Sequence, residues 1–432
     1  MLFPVRRLVH PAWIVAAVAF VALIGAAGFR ATPSVLIHPL HAEFGWPLAT
    51  ISAAVSVNLL LFGLTAPFAA ALMDRFGIRR VVAAALVLVS LGSGLTVFMR
   101  TSAELILLWG VLVGVGAGSM ALAFVATVTG RWFVKRRGLV TGVLTAAGAT
   151  GQLVFLPLLA YLVEQSSWRT ASLVVAGAAL AVVPLVLWLL RDHPSDLGIP
   201  AYGATEVVPP APAGGAARRA LSALRDASKT RAFWLLAGGF AICGATTNGL
   251  VGTHFIPAAH DHGMTETTAA SLLALIGLFD IAGTIASGWL TDRFDSRVLL
   301  GAYYALRGGS LLLLPALFGD AVRPSMVVFI LFYGLDWVAT VPPTVALCRE
   351  YFGDRGAVVF GWVFASHQVG AALAASAAGI VRDRLGNYDL AWYVAGLLAI
   401  GAAGLSLMLF RRRGALGFAT PAMAGAPGSA PR

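Results

Sequence analysis

The 432 residues are 59% hydrophobic and only 11% charged, with a mean hydropathy of +0.85 and a formal net charge of +11. A soluble domain carries about twice that charged fraction, so an ordinary water-soluble protein is excluded and a chain that crosses a membrane many times is implied. In a soluble chain the basic excess would suggest nucleic acid, but here it falls in short loops between apolar spans, where topology accounts for it.

At the start, Arg6 and Arg7 precede a long apolar run with small residues at Ala26, Ala27 and Gly28. This resembles a secretory leader, but the run is too long for one and eleven further spans follow, so it reads as a retained first helix. The run ends in Arg30, with Pro33 and Pro39 beyond it. At about 1.5 Å per residue, Ala12 to Arg30 rises roughly 27 Å, most of a hydrocarbon core of about 30 Å. A cation at membrane depth costs about 2.5 kcal/mol or more, so Arg30 either holds an anion in a watery cavity or snorkels to the outer interface.

Apolar stretches predict helices 1 to 6 near 12–37, 48–72, 81–99, 104–129, 138–163 and 169–190. Helices 7 to 12 follow near 231–257, 266–290, 297–318, 324–347, 356–381 and 388–410. Basic residues divide unevenly between the loops. Arg6, Arg7, Arg75, Arg79, Arg80, Arg131, Lys135, Arg136, Arg137, Arg293, Arg297, Arg349, Arg355 and Arg411 to Arg413 fall on one side. Arg100, Arg169, Arg323, Arg382 and Arg384 fall on the other, which places both termini in the cytoplasm.

The expected architecture is an all-α membrane protein of twelve transmembrane helices in two pseudo-symmetric six-helix bundles, 1–190 and 231–413. The linker 191–230 holds a flexible Pro/Ala/Gly tract and a short basic surface helix, and the tail 414–432 reads as disordered. Cys243 and Cys348 lie in apolar segments without metal-like spacing, so neither a disulfide framework nor a metal site is expected.

The halves repeat: Met73-Asp74-Arg75-Phe76 returns as Thr291-Asp292-Arg293-Phe294, an offset of 218 residues. Arg137-Gly138 returns as Arg355-Gly356 at the same offset. Two parallel repeats put a substrate site at their interface near mid-membrane. Asp74, Arg75, Asp292 and Arg293 then become gating candidates, the acid at a helix end pairing with arginines across the half-interface.

Twelve spans, duplicated halves and the loop Asp74-Arg75-Phe76-Gly77-Ile78-Arg79-Arg80 together resemble the major facilitator superfamily over nearly the whole chain. A finer resemblance lies in Glu43-Phe44-Gly45-Trp46 entering helix 2 and in Trp132-Phe133-Val134-Lys135-Arg136-Arg137-Gly138-Leu139 before helix 5. Both look like the monocarboxylate transporter family and its bacterial relatives, including oxalate/formate-type exchangers. That resemblance implies transport of small carboxylates, often with a proton, and Arg30 matches the family's basic residue near the outer end of helix 1. Animal members carry an aspartate and an arginine four residues apart in helix 8, whereas here Asp280 is followed by Thr284.

Besides Arg30, the charges well inside spans are Asp280 in helix 8, Arg307 in helix 9 and Asp336 in helix 10. Arg307 is expected to pair with Asp280 or Asp336, because the third helix of each three-helix unit packs outside in this superfamily. The carboxylate left with less neutralisation is the proton-site candidate. His367 in helix 11 can titrate near neutral pH or donate to an anion, or simply fill a hydrogen-bonded packing position. Asn58 in helix 2 and Asn248 in helix 7 offer amides either to a substrate or to neighbouring helices. Glycines crowd helices 4 and 5, and Pro342 and Pro343 should break helix 10 and free carbonyls near Asp336.

No Walker loop, metal-ligand cluster or nucleotide fingerprint occurs, so neither an enzyme nor a cofactor is expected. The leading reading is a secondary transporter of small organic anions, coupled to a proton or a counter-anion, monomeric and integral to a bacterial inner membrane. A proton-driven exporter of hydrophobic or cationic compounds, in which Arg30 only snorkels, is the alternative. A non-transporting sensor has no attached soluble domain to signal through.

Overall fold

The computed structural model describes residues 10–120, 122–209 and 215–409, with the side chains of Arg30, Leu122, Ala123, Ala149, Ala216 and Asp354 excepted. Arg6, Arg7, Arg411 to Arg413, most of the Pro/Ala/Gly tract and the tail 414–432 lie outside the described residues.

Among the described residues twelve helices are long and apolar enough to cross a membrane, and they correspond one to one with the predicted segments. Helices 1 to 6 are Pro11–Phe44, Leu48–Phe76, Ile78–Phe98, Ser102–Trp132, Arg137–Gln165 and Trp168–Leu189. Helices 7 to 12 are Arg231–Asp261, Glu266–Thr291, Ser296–Leu317, Pro324–Phe352, Gly356–Leu385 and Asp389–Leu407. Helix 1 runs through both of its prolines, each of which removes only one backbone donor from the ladder, and stops at Gly45 in the left-handed region.

Helices 4 and 10 both break. Helix 4 passes through a π-helical stretch, Ile106–Val113, and departs from helical geometry at Met120, where φ is -107° and ψ 11°. Helix 10 ends one piece at Asp336 and begins the next at Val341, one turn earlier than its prolines alone would require. Helix 7 carries a second π-helical stretch, Ala245–Val251.

The two six-helix sets meet along helix 2 against helix 11 and helix 5 against helix 8, with helix 1 also touching helix 7. Helix 2 and helix 11 approach closely enough that a Cβ on Gly63 would stand 2.5 Å from Gln368 Cβ. Ser56 Oγ donates to Ala372 O at 2.5 Å across the same seam. On the side away from the linker, called here the far side, Glu164 of helix 5 accepts from Thr267 N and Thr267 Oγ1 at 2.8 and 2.6 Å. Asp383 of helix 11 caps the start of helix 2, accepting from Leu48 N and Ala49 N at 3.0 and 2.7 Å.

The described parts of the linker, on either side of the Pro/Ala/Gly tract, pack on the bundles. Its first part folds back beneath helices 1 to 4, where Tyr202 N donates to Trp132 O at 2.8 Å and Tyr202 O accepts from Val134 N and Lys135 N. Asp192 accepts from Arg79 N at 2.9 Å. Gly77 is required there, since its φ of +85° is left-handed and a Cβ would stand 2.5 Å from an Asp192 oxygen. Burial, with Arg131 nearby, holds the His193 imidazole below its ordinary range. The linker helix Ala216–Ala227 buries Ala220, Ala223 and Ala227 and packs on both helix 2 and helix 11. Trp362 Nε1 donates to Ala220 O at 2.8 Å, and Arg355 pairs with Asp226 at 2.6 Å.

Candidate functional site

A cavity of about 50 Å³ lies between the halves. Phe29 and Pro33 of helix 1, Val55, Asn58, Leu59 and Phe62 of helix 2 and Gln152 of helix 5 line one side, and Asn248, Gly252 and Thr253 of helix 7 with Gln368 of helix 11 line the other. None of these liners is charged, and four carry carboxamides: Asn58, Gln152, Asn248 and Gln368. Each amide offers both a donor and an acceptor, so the wall can recognise a polar ligand from two sides.

The amides are held differently. Asn58 is buried and spends its Nδ2 on Trp109 O at 2.8 Å, a carbonyl within the π-helical stretch of helix 4. Asn248 sits in the π-helical stretch of helix 7, a geometry that recurs at functional positions. Thr253 Oγ1 donates to Asn248 O at 2.8 Å. Gln368 is 1% exposed, yet its Oε1 has no hydrogen-bond partner among the described residues. A buried amide oxygen facing a cavity without a partner is an open acceptor.

Sequence reading left His367 either a substrate ligand or a packing residue and did not single out Gln368. The structure places the His367 ring between Phe240 and Phe364, with centroids 4.9 and 5.9 Å away, against helix 7. One residue along a helix turns a side chain by about 100°, so the cavity receives Gln368 instead. Gln152 and Gln368 were not picked out as ligands, and only their polarity within apolar helices signals them.

Arg30 lies in helix 1, one residue beyond the cavity-lining Phe29 and three before the cavity-lining Pro33. Its side chain is outside the described residues. The 218-residue offset between the repeated loops sets Arg30 in register with Asn248.

The membrane-buried charges form a separate cluster inside the second half. Arg307 is 1% exposed; its Nε donates to Asp336 Oδ2 at 2.6 Å and its Nη2 to Asp336 O at 2.6 Å and Trp337 O at 3.2 Å. Nη1 reaches Cys243 Sγ at 2.9 Å. Asp280 is not the partner of Arg307. Its Oδ1 accepts from Val338 N at 3.0 Å and from Thr284 Oγ1 at 2.9 Å. At the break in helix 10, where Asp336 O keeps a 3.3 Å bond from Ala339 N, Arg307 donates to the carbonyls of Asp336 and Trp337, and Asp280 accepts from Val338 N. Ser287 Oγ takes a further carbonyl, Ala339 O, at 2.5 Å.

The loop charges do not bridge the halves. Asp74 pairs with Arg131 of helix 4 at 2.5 Å, within its own half, because both stand in the last turns of adjacent helices. Arg75 lies over the Phe76 ring, and Arg293 lies 3.9 Å from the Trp289 ring centroid while donating to Trp289 O. Asp292 is exposed and makes no ion pair among the described residues. On the linker side the halves are joined by the linker helix rather than by these arginines.

The family profile of the Major Facilitator Superfamily matches residues 17–375, with a further match over 243–427. The chain belongs to that superfamily. It is similar to an uncharacterized MFS-type transporter, YcxA, of Bacillus subtilis, at 26% identity over 88% of this chain and 90% of the relative. Monocarboxylate transporter 13 of Bos taurus is 29% identical over 85% of this chain and 82% of its own. Monocarboxylate transporter 11 of Homo sapiens is 26% identical over 92% and 83%. The xylose transporter XylE from E. coli, in a partially occluded inward open conformation, shares the fold with a TM-score of 0.67 at 15% identity, over 92% of this chain and 97% of that one. The protein is an integral membrane transporter of small molecules, not an enzyme.

Proposed function

We propose that this transporter carries a small organic anion, a monocarboxylate, by alternating access, with a proton or in exchange for a second anion. The observation that carries the reading is the convergence of four carboxamides from both halves on one cavity beside the Arg30 position. Arg30 supplies the charge that a carboxylate needs, and Asn248 and Gln152 supply donors that orient it. The kinship with monocarboxylate transporters supports the same substrate class.

About 50 Å³ holds only a few waters, so loading requires helices from the two halves to separate. Asp280 bonds no cation among the described residues, whereas Asp336 is taken by Arg307. Asp280 therefore takes up and releases the coupling proton, and its grip on Val338 N links that proton to the shape of helix 10. The basic-residue asymmetry makes the linker side cytoplasmic, in a bacterial inner membrane.

Uptake of labelled monocarboxylates into proteoliposomes tests the reading. It should respond to a pH gradient or to a trapped counter-anion, and Asp280→Asn should remove the pH response while leaving counterflow. No carboxylate flux under either condition would refute the substrate class.

A further inference from the structure

On the far side, three residues from both halves meet. His38 near the end of helix 1, His260 near the end of helix 7 and Glu266 in the first turn of helix 8 each place a ligand atom within 4.8 Å of the other two. His38 Nδ1 is 3.5 Å from Glu266 Oε1, and the two imidazole centroids are 4.1 Å apart.

Glu266 is 7% exposed, and its Oε2 has no hydrogen-bond partner among the described residues. An acid this buried, with an idle oxygen and two imidazoles beside it, has the composition of a cation site. The neighbouring acid is already used: Asp261 accepts from Arg382 Nε and Nη2 at 2.7 and 3.0 Å. The His38 side chain is 44% exposed, which leaves the cluster a path to water.

Two imidazoles and one carboxylate suit a borderline transition ion such as zinc rather than calcium or magnesium, which require oxygen ligands. Tetrahedral bonds of about 2.0 to 2.2 Å space ligand atoms roughly 3.3 to 3.5 Å apart, the separation His38 and Glu266 already have. Three protein ligands leave a fourth position for water.

We propose that His38, His260 and Glu266 bind a divalent transition-metal ion from the far side. The bound ion ties helix 1 to helices 7 and 8 and holds that side of the transporter closed. The site is independent of the carboxylate reading, since none of its ligands lines the central cavity.

The test uses the purified full-length protein in detergent with zinc chloride, magnesium chloride being the reference, read by chelator competition and by amide hydrogen exchange. One zinc equivalent should bind, and affinity should fall at least tenfold in both His38→Asn and Glu266→Gln. His41→Asn should keep it, since His41 is engaged instead with Trp46 O at 2.7 Å. Zinc should also slow exchange at the far ends of helices 7 and 8 in the wild type and not in Glu266→Gln. Unchanged affinity in both ligand variants, or zinc uptake matched by magnesium, would overturn the site. Binding without the slower exchange would overturn the clamp.

Discussion

Helices 4 and 10 occupy equivalent places in the two repeats and both are interrupted, but they are held by opposite means. Around its interruption helix 4 is secured without charge: Asn58 Nδ2 holds Trp109 O, and Gly114, Gly116 and Gly118 bring the helix against backbone carbonyls of helices 2 and 3, with a Cβ on Gly118 falling 2.7 Å from Phe62 O. Helix 10 is secured by charge, with Arg307 on the carbonyls of Asp336 and Trp337 and Asp280 on Val338 N. Close packing of small residues fixes a shape with nothing to titrate, while a charged grip can be altered by a proton. The break in helix 10 is thus held by groups that a proton can change, and that in helix 4 by groups that it cannot.

The largest effect should follow from removing one partner of the buried pair. Arg307→Met leaves Asp336 without its cation and should cost about 3 to 5 kcal/mol of stability, measured by thermal unfolding in detergent. Adding Asp336→Leu should recover only part, because Trp337 O would still lack the donor that Arg307 supplies, at about 1 to 3 kcal/mol. Full recovery would mean that the arginine serves the carboxylate alone.

On the other side of the comparison, Gly118→Ala should cost about 1 to 3 kcal/mol by overpacking helix 4 on helix 2. The loss should not vary with pH between 5 and 8. A pH-dependent loss would contradict the view of helix 4 as an uncharged contact.

How far sequence alone carries is visible in the same two regions. The twelve spans follow from hydropathy, and the repeat follows from Asp74 and Asp292, because both signals are local. That Arg307 would seek an aspartate was legible from burial of charge, but the choice of Asp336 depends on where the break in helix 10 falls. Gln152 and Gln368 escaped notice because a single amide in an apolar helix has no period, and only the closing of helices 5 and 11 around one cavity makes it a ligand. The basic linker helix was legible in Arg218 to Arg231, whereas the backbone bonds at Tyr202 and the docking of Ala220, Ala223 and Ala227 on helices 2 and 11 have no local signal. The gating arginines were misplaced for a related reason: Asp74 found the nearer Arg131 in its own half.

The smallest expected effect concerns that linker. Arg355 beside Asp226 holds its carboxyl below the ordinary value of 3.8. A depressed folded value means the pair's contribution is present above the unfolded value and is lost as pH falls through the lowered one. Protection of the amides in Ala216–Ala227, taken relative to intrinsic exchange at each pH, should therefore be steady near neutral pH and fall only in acid, with Asp226→Asn showing the lower protection throughout. Identical protection in the variant would remove the pair from the account.

Substrate binding separates cavity from charge cluster most directly. Calorimetric titration of small monocarboxylates should show affinity reduced by roughly 1.5 to 3 kcal/mol in Arg30→Ala and by about 1 kcal/mol in Gln152→Ala, with Asp280→Asn binding as the wild type does at neutral pH. Wild-type affinity in Arg30→Ala, or binding lost only in Asp280→Asn, would place the substrate at the charge cluster and contradict the account.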